Sequence, residues 1–216
     1  MEKLILFTYI GSLLILFTFG SHSFIMVYYY LKFRDKRDDF SGELKEFPIV
    51  TIQLPVFNEM YVVERLIKST CEIDYPIDKL EIQVLDDSTD ETVDIVAEKV
   101  KEYKRDGFDI VHIHRDNRTG FKAGALKEGL VTAKGEFVAI FDADFIPKKN
   151  FLKVVLPFFH DEKIGMVQTR WGHLNRNYSL LTRLQSIFLD AHFIIEHLAR
   201  DRSGRFFNFN GTAQIF

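Results

Sequence analysis

Two hydrophobic patterns divide the chain. Leu4 to Leu31 contains no Lys, Arg, Asp or Glu, and this length exceeds the roughly 20 residues that a helix needs to cross a bilayer. From Pro48 onward, short apolar runs alternate with longer amphipathic stretches, which predicts alternating strands and helices. We therefore expect a transmembrane anchor over residues 1–33, a polar linker over 34–47 and an α/β domain over 48–216. That domain should contain a mostly parallel sheet with flanking helices.

The residues that flank the apolar segment predict its orientation. It ends in an aromatic belt, Tyr28 to Tyr30, and more basic residues follow it than precede it: Lys32, Arg34, Lys36 and Arg37 against Lys3. Basic residues concentrate on the cytoplasmic side of membrane spans. A secretory signal peptide would have a shorter apolar region and a small-residue cleavage site. We therefore expect a retained helix in the cell membrane, with the following domain in the cytoplasm.

The α/β pattern predicts four strands, each followed by a polar turn. The strands are Ile49 to Leu54, Glu81 to Leu85, Ile110 to His114 and Phe137 to Phe141. Asn58 is predicted to be the N-cap of the first following helix. Ser88 and Glu91 have the spacing of a capping box that opens a second helix ending near Arg105. Further elements are expected as helices over Phe121 to Thr132 and Asn150 to Phe159, and as an extended segment over Ile164 to Thr169.

Tyr178 to Arg200 has apolar residues at helical spacing, among them Leu181, Leu184 and Phe188. This pattern predicts a long amphipathic helix. The preferred interpretation places its apolar face against a protein core. The alternative is a helix that lies on a membrane surface.

Composition excludes several classes of protein. The apolar fraction of 47% and the net charge of -3 argue against disorder and against nucleic-acid binding by bulk positive charge. The single cysteine, Cys71, excludes an intrachain disulfide and a zinc site built from cysteines. Phe is frequent near both ends of the chain, which is consistent with membrane contact.

The chemistry centres on the stretch Gly135 to Pro147, where an apolar strand ends in Asp142, Ala143 and Asp144. If the extended backbone continues through Ala143, both carboxylates point to the same side. Two like charges so close together are stable mainly with a cation between them. Their hard oxygen ligands suit Mg²⁺ or Mn²⁺. The alternative is a solvated loop whose aspartates cap the next helix.

Four polar clusters follow the four predicted strands. They contain Asn58 and Glu59, Asp86 to Ser88, Arg115 to Lys122, and Asp142 to Asp144. Ligands of open parallel sheets bind outside the carboxyl ends of the strands. Arg115, Arg118 and Lys122 provide positive charge for phosphate oxygens, and Asp86 has a carboxylate for a base or ribose. Together the clusters predict a site for a nucleotide diphosphate and a divalent ion.

Competing motifs are absent from the sequence. It has no P-loop, no G-x-G-x-x-G fingerprint and no EF-hand loop after Asp144. Ser88 has no nearby histidine base in the sequence, which disfavours a hydrolase triad. His112 and His114 alternate on one strand face, but without a third ligand nearby in the sequence we interpret them as ordinary strand histidines rather than a metal site.

The motifs in this order resemble the family 2 glycosyltransferases of the GT-A fold, a Rossmann-like architecture. The resemblance is to the membrane-bound branch that includes cellulose synthases and mannan synthases. It extends over nearly all of Pro48 to Ala213 and rests on LPVFNE (Leu54–Glu59), LDDSTDET (Leu85–Thr92), RTGFKAGAL (Arg118–Leu126), FDADF (Phe141–Phe145), VQTRWGHLN (Val167–Asn175) and FNGTA (Phe209–Ala213).

This resemblance implies roles for individual residues. Those expected to bind the nucleotide-sugar donor are Pro55, Asn58, Glu59, Asp86, Lys122, Asp142 and Asp144. Among them, Asp86 would contact the uracil or ribose and Lys122 the diphosphate. Asp142 and Asp144 would also hold Mg²⁺ or Mn²⁺. The segment with Asn210, Gly211 and Thr212 would lie near the transferred sugar or the acceptor, a glycan or lipid-linked molecule.

Three features depart from the family pattern. The family's acidic catalytic base follows the FNGTA segment, beyond Phe216, so the catalytic residue stays unassigned. Gln168 to Trp171 resembles the later Q-x-x-R-W motif, but it is one residue short and too early in the chain. Gln214 replaces the glycine usual after FNGTA. Because the chain stops inside an apparent strand, we expect it to be truncated.

These observations lead to three hypotheses. The first is an inverting, metal-assisted transferase that moves a sugar from a UDP- or GDP-sugar to a membrane-proximal acceptor. The second is a membrane module that binds a nucleotide sugar without turnover, because the base is missing. The third, a nucleotidyltransferase, is disfavoured because no glycine-rich loop follows the first strand.

Overall fold

The computed structural model describes residues 1–35, 44 and 46–216, which form two compact units. One unit contains the N-terminal helix and Arg170–Phe209. The other contains the described residues from 44 to 169 and Asn210–Phe216. Most of the predicted linker, with Lys36 and Arg37, lies outside the described residues. The predicted domain boundaries stay a prediction.

The second unit is built on a sheet of six strands. These are β1 (Val50–Val56), β2 (Leu80–Asp86), β3 (Asp109–His114), β4 (Phe137–Ile140), β5 (Val167–Gln168) and β6 (Gln214–Ile215). They lie in the order β3-β2-β1-β4-β6-β5. The first four are parallel, whereas β6 runs antiparallel to both β4 and β5. This arrangement confirms the mostly parallel α/β sheet expected from the alternating pattern.

Helices connect the parallel strands of this unit. They are α2 (Val63–Cys71), α3 (Thr92–Arg105), α4 (Phe121–Thr132) and α5 (Phe151–Val155), which continues as a 3-10 turn over Leu156–His160. The bounds of α4 and the end of α3 agree with the hydrophobic pattern. Parallel strands need such crossovers, because a tight turn cannot return the chain to the same end of the sheet.

Both predicted N-terminal caps are wrong. Asn58 does not cap α2, which begins five residues later with Val62 at its N-cap. Its φ of 54° places it in the left-handed region, which asparagine tolerates better than most residues. Ser88 and Glu91 form no capping box, because the Ser88 hydroxyl accepts a hydrogen bond from the Asn58 backbone N–H instead. Both side chains connect neighbouring loops instead of capping helices.

Helix α4 packs on the face of the sheet that carries Gln53 and Gln83. Gln53 and Gln83, on neighbouring strands, are buried, and their side chains hydrogen-bond each other at 3.0 Å. The Gln53 amide also donates to the Leu126 carbonyl of α4 at 3.3 Å. A Cβ on Gly129 would lie 2.7 Å from that amide nitrogen. The buried amides of Gln53 and Gln83 therefore have partners, and α4 contacts the sheet through a residue without a side chain.

The first unit is helical. It contains α1 (Glu2–Phe33), α6 (Leu180–Asp190), a π-helical segment (Ala191–His197) and α7 (Leu198–Arg202). Within the described residues, α1 is the one helix long and apolar enough to cross a membrane. The Arg202 guanidinium donates to the Phe33 and Arg34 carbonyls at 2.8 and 3.2 Å. This contact places a cation at the C-terminal end of α1, where the helix dipole favours it.

The core-facing interpretation of the Tyr178 to Arg200 helix is wrong for α6. Leu181, Leu184 and Phe188 are 65%, 46% and 77% exposed. The buried residues of this stretch are Ser186 in α6, Phe193 in the π-helical segment and Ala199 in α7. The apolar stripe is real, but the described residues do not cover it. Periodicity predicts which residues share a face and does not identify what covers that face.

Gly135 permits the close approach of its loop to β1. A Cβ at this position would lie 2.4 Å from the Thr51 backbone nitrogen, while Gly165 has no neighbour within 4 Å of the same atom. We expect Gly135→Ala to lower the free energy of unfolding by about 1–3 kcal/mol, because a fixed backbone has to move. Gly165→Ala, the matched control, should change it by less than about 0.5 kcal/mol. Urea titrations of the detergent-solubilised chain, followed by circular dichroism, measure both; equal values would contradict this account.

Candidate donor-binding site

A cavity of about 370 Å³ opens at the carboxyl ends of β1, β2 and β4, beside the start of α4. This is the edge at which the sequence places its polar clusters. The residues that line it are Pro55, Val56, Phe57, Glu59, Leu85, Asp87, Arg118, Lys122, Ala125, Asp142, Ala143 and Asp144. Five of the seven predicted donor-binding residues are in this set; Asn58 and Asp86 are not.

Asn58 supports the wall of the cavity without lining it. Its side-chain oxygen accepts a hydrogen bond from the Thr89 backbone N–H at 2.9 Å, and its own N–H donates to the Ser88 hydroxyl at 2.9 Å. These two bonds join the loop after β1 to the loop after β2. This contact between the two loops positions Pro55, Phe57 and Glu59, and the sequence pattern of helix caps does not predict it.

Asp86 and Asp87 point in opposite directions, because side chains alternate along a strand. Asp87 lines the cavity with Leu85. Asp86 is fully buried, and its Oδ2 lies 2.8 Å from His112 Nε2. Burial alone would raise the pKa of Asp86, but hydrogen bonds from His112 and Ser88 outweigh it and hold the pKa below its ordinary value. The predicted contact of Asp86 with a base or ribose stays a prediction.

Asp87 is a charged cavity residue to which the sequence analysis assigned no role of its own. Its carboxylate accepts two hydrogen bonds from Arg115, at 2.7 and 2.6 Å, and both side chains are almost completely buried. Arg115 therefore holds Asp87 in place and does not line the cavity as a phosphate ligand. Strand alternation offers the missing signal, because Asp87 shares its side of the strand with Leu85.

Lys122 and Asp142 contact each other at the edge of the cavity. The Lys122 ammonium also donates to the Gly211 carbonyl at 2.7 Å. The Asp142 backbone N–H donates to the Thr212 hydroxyl at 2.8 Å. Thr212 is thus fixed directly to the predicted metal ligand Asp142, and Gly211 is fixed to it through Lys122. The third, Asn210, donates its backbone N–H to the Gln168 side chain at 2.8 Å.

The backbone does not stay extended after β4, so that expectation is wrong. β4 ends at Ile140, and the Phe145 N–H donates to the Asp142 carbonyl at 3.0 Å to close a turn. Ala143 is buried inside this turn, while Asp144 is exposed. Both carboxylates nevertheless line the same cavity. Their shared position results from the turn rather than from strand alternation.

Arg118 provides a second cationic group. Its guanidinium carbon lies 3.3 Å from the centre of the Phe57 ring and 5.2 Å from that of Phe121. Such stacking favours one orientation of a planar cation while leaving its N–H groups free to donate. With Lys122 it places two positive groups among the carboxylates of Glu59, Asp142 and Asp144. The cavity can therefore attract phosphate oxygens through its cations and a metal ion through its carboxylates.

Known proteins are similar to this chain in sequence and fold. The family model described as glycosyl transferase family 2 matches residues 51–213. A probable glucomannan 4-beta-mannosyltransferase 4 from Oryza sativa subsp. japonica is 45% identical over 179 residues, covering 81% of this chain and 33% of the relative. Glucomannan 4-beta-mannosyltransferase 2 from Arabidopsis thaliana is 44% identical over 190 residues, covering 86% and 36%. The chain thus spans about a third of the length of these relatives.

A solved structure shows the same fold. It is the mannosyltransferase PcManGT from Pyrobaculum calidifontis in complex with GDP-Man and Mn²⁺. Its TM-score is 0.63 at 28% sequence identity, and the match covers 75% of this chain and 47% of that one. The comparison confirms the GT-A fold that the motifs imply.

The pair formed by Arg115 and Asp87 should stabilise the domain measurably. Removing Arg115 leaves a buried carboxylate without its cation, which costs about 3–5 kcal/mol. We expect Arg115→Ala to lower the free energy of unfolding by that amount. Glu128→Ala is the control, because Glu128 is 58% exposed and lies 3.6 Å from the same guanidinium; its loss should cost less than about 1 kcal/mol. Chemical denaturation compares the two, and similar values would refute this role for Arg115.

Proposed function

Because the chain belongs to glycosyl transferase family 2, we propose that it forms the donor-binding part of a membrane-anchored, inverting glycosyltransferase. The enzyme moves a sugar from a nucleotide diphosphate to a glycan or lipid-linked acceptor. One observation carries this proposal: Arg118, Lys122, Asp142 and Asp144 line one cavity at the carboxyl edge of the sheet. That edge is where parallel α/β sheets bind their ligands.

The donor that we propose to test first is GDP-mannose. The relatives are named glucomannan mannosyltransferases, and the similar solved structure contains GDP-Man. A UDP-sugar is the alternative, because a TarS structure from S. aureus with UDP has a TM-score of 0.51 at 25% identity. By the same comparison, a β-linked mannan or glucomannan is the acceptor that we propose, which places the enzyme in polysaccharide biosynthesis.

The residues present fit a divalent ion. Asp142 and Asp144 line the cavity with carboxylate oxygens, the ligands that Mg²⁺ and Mn²⁺ prefer. The similar archaeal structure contains Mn²⁺. When bound, such an ion offsets the negative charge that develops on the departing diphosphate.

The protein's own groups bind and orient the donor. Lys122 is positioned to donate to a diphosphate oxygen, and the stacked Arg118 offers planar N–H donors at the same cavity. Pro55 and Glu59 form the wall beside the nucleotide, supported by Asn58. Because Asp87 lines the cavity and Asp86 does not, we propose Asp87 for the contact with the base or ribose.

The acceptor is expected beside the segment with Asn210, Gly211 and Thr212. Gly211 and Thr212 are bonded to Lys122 and Asp142, so a sugar attached to the diphosphate would lie near this segment. An inverting transfer needs a base that takes the proton of the acceptor hydroxyl as the new glycosidic bond forms. That base is unassigned.

The membrane topology has its own support. The exposed, charge-free stretch of α1 suits a bilayer. At its C-terminal end Arg205 donates to the Tyr29 hydroxyl at 3.1 Å and lies over the Tyr29 ring at 4.4 Å. With Lys32, Arg34 and Arg202 it concentrates positive charge at that end. By the positive-inside rule, that end and the donor-binding unit lie in the cytoplasm.

Calorimetric titration tests donor binding. GDP-mannose or UDP-glucose is titrated into the detergent-solubilised chain with Mn²⁺ and then with EDTA. We expect Asp144→Asn to weaken binding at least about tenfold, equivalent to roughly 1.4 kcal/mol. Asp78→Asn, an exposed aspartate on a 3-10 turn outside the cavity, is the control and should bind like wild type. Unchanged affinity in a folded Asp144→Asn protein would refute the site.

Transfer is measured separately from binding. A radiolabelled donor and mannan oligosaccharides report sugar transfer by the same preparation. Binding without transfer would favour the nucleotide-sugar-binding module over the enzyme for this chain. Transfer that requires both Asp142 and Asp144 would support the complete proposal.

Cysteine labelling tests the topology. Burial, with a smaller contribution from Asp106, raises the pKa of Cys71 to about 12, so its protonated thiol should not react. Lys3→Cys should react with an impermeant maleimide on intact cells, because position 3 is predicted to be outside. Asp78→Cys, the cytoplasmic control, should react only after permeabilisation. The reverse pattern would overturn the predicted orientation.

A further inference from the structure

Two histidines and an aspartate meet on the other side of the sheet from the donor cavity. His112 and His114 lie two residues apart on β3 and therefore on the same face of the strand. Strand β3 pairs with β2 so that Asp86 lies opposite His114. Asp86 Oδ2 lies 2.8 Å from His112 Nε2 and 3.5 Å from His114 Nδ1. The three ligand atoms all lie within 4.8 Å of one another. Asp86 is the third potential ligand that sequence proximity did not reveal.

We propose that Asp86, His112 and His114 bind a zinc ion. Zinc takes imidazole nitrogens and carboxylate oxygens at bonds of roughly 2.0–2.1 Å, so neighbouring ligands of a tetrahedral ion lie about 3.3 Å apart. The two contacts of the Asp86 oxygen, at 2.8 and 3.5 Å, bracket this value. Neutral imidazole suits zinc, whereas Mg²⁺ prefers oxygen ligands. The cluster therefore prefers a different metal ion from the one preferred by the pair of carboxylates, Asp142 and Asp144.

An outer hydrogen bond orients one of these ligands. Asp86 Oδ1 accepts a hydrogen bond from the Ser88 backbone N–H at 2.8 Å, which leaves Oδ2 directed at the histidines. His114 Nε2 lies 3.9 Å from Asp116 Oδ1, while its Nδ1 faces Asp86. A carboxylate that hydrogen-bonds the second ring nitrogen is a common orienting contact of ligating histidines, and Asp116 lies near that nitrogen at a distance too long for such a bond. The Asp86 carboxylate is thus oriented before an ion enters.

The cluster is accessible from solvent. His112 borders a cavity of about 470 Å³, which is also lined by Lys101, Lys104 and Arg105 of α3. Three protein ligands leave the fourth position of a tetrahedral zinc for water or an anion. The basic residues of this cavity favour an anion such as hydroxide or chloride in that position. The positive charge of these basic residues disfavours a bound zinc ion. The negative charges of Asp86 and of such an anion offset this repulsion.

A zinc ion here would cross-link β2 and β3 at their carboxyl ends. Asp86 precedes Asp87, whose side chain lines the donor cavity on the opposite face. The ion would therefore stabilise the strand end from which the cavity wall extends, without contacting the donor. A ligand that binds only the folded state raises its stability in proportion to the logarithm of ligand concentration over Kd.

Metal analysis of the full chain tests the proposal. The detergent-solubilised protein, purified without a histidine tag, is stripped with chelator, loaded with ZnCl₂ and dialysed against millimolar Mg²⁺. We expect one zinc per chain by atomic emission, and a higher melting temperature with zinc than without it. Wild-type protein that is folded but retains no zinc would overturn the site.

One ligand variant and two control variants test the assignment. His114→Gln should lower zinc affinity at least about tenfold, because loss of even an outer contact costs ten- to a hundredfold. His160→Gln, a histidine on the 3-10 turn after α5, should bind zinc like wild type. Asp144→Asn should also retain zinc, which separates this site from the proposed donor site. Equal zinc affinity in wild type and His114→Gln, both folded without metal by circular dichroism, would refute the assignment.

Discussion

Carboxylates crowd the carboxyl edge of the parallel sheet, and basic side chains hold two of them in place. Asp87 follows β2 and is bound by Arg115 from the loop after β3. Asp142 follows β4 and contacts Lys122 from the first turn of α4. Both cations come from the segment after β3, whereas the two carboxylates follow β2 and β4. The electrostatic pairing therefore fixes the loops to one another as well as neutralising charge, and the shape of the cavity depends on it.

Much of the fold follows from hydrophobic periodicity. Four strands and the bounds of α4 are readable because apolar runs and amphipathic stretches have different periods. The helix starts are harder to predict, as Asn58 and Ser88 show. Their short polar side chains can cap a helix or bond a neighbouring loop equally well. The choice depends on a loop about 30 residues away in the sequence, which no local pattern contains.

In the candidate site too, some features follow from local sequence patterns and others depend on residues distant in the sequence. Lys122, Asp142 and Asp144 are predictable because their clusters follow strands that the hydrophobic pattern predicts. Asp87 lines the cavity and Asp86 does not, because side chains alternate at the end of β2. The meeting of Asp86 with His112 and His114 depends on the register between two strands, which sequence spacing does not reveal. For α6, an apolar face is predictable, but its covering surface is not.

Lys122 binds two groups at once, the Asp142 carboxylate and the Gly211 carbonyl. A ligand whose phosphate recruits this ammonium therefore weakens its hold on both. Weakening the first contact frees a carboxylate oxygen, and weakening the second loosens the segment expected to receive the acceptor. By thermodynamic reciprocity, occupancy on either side changes affinity on the other. A single lysine thus couples the proposed donor site to the proposed acceptor segment.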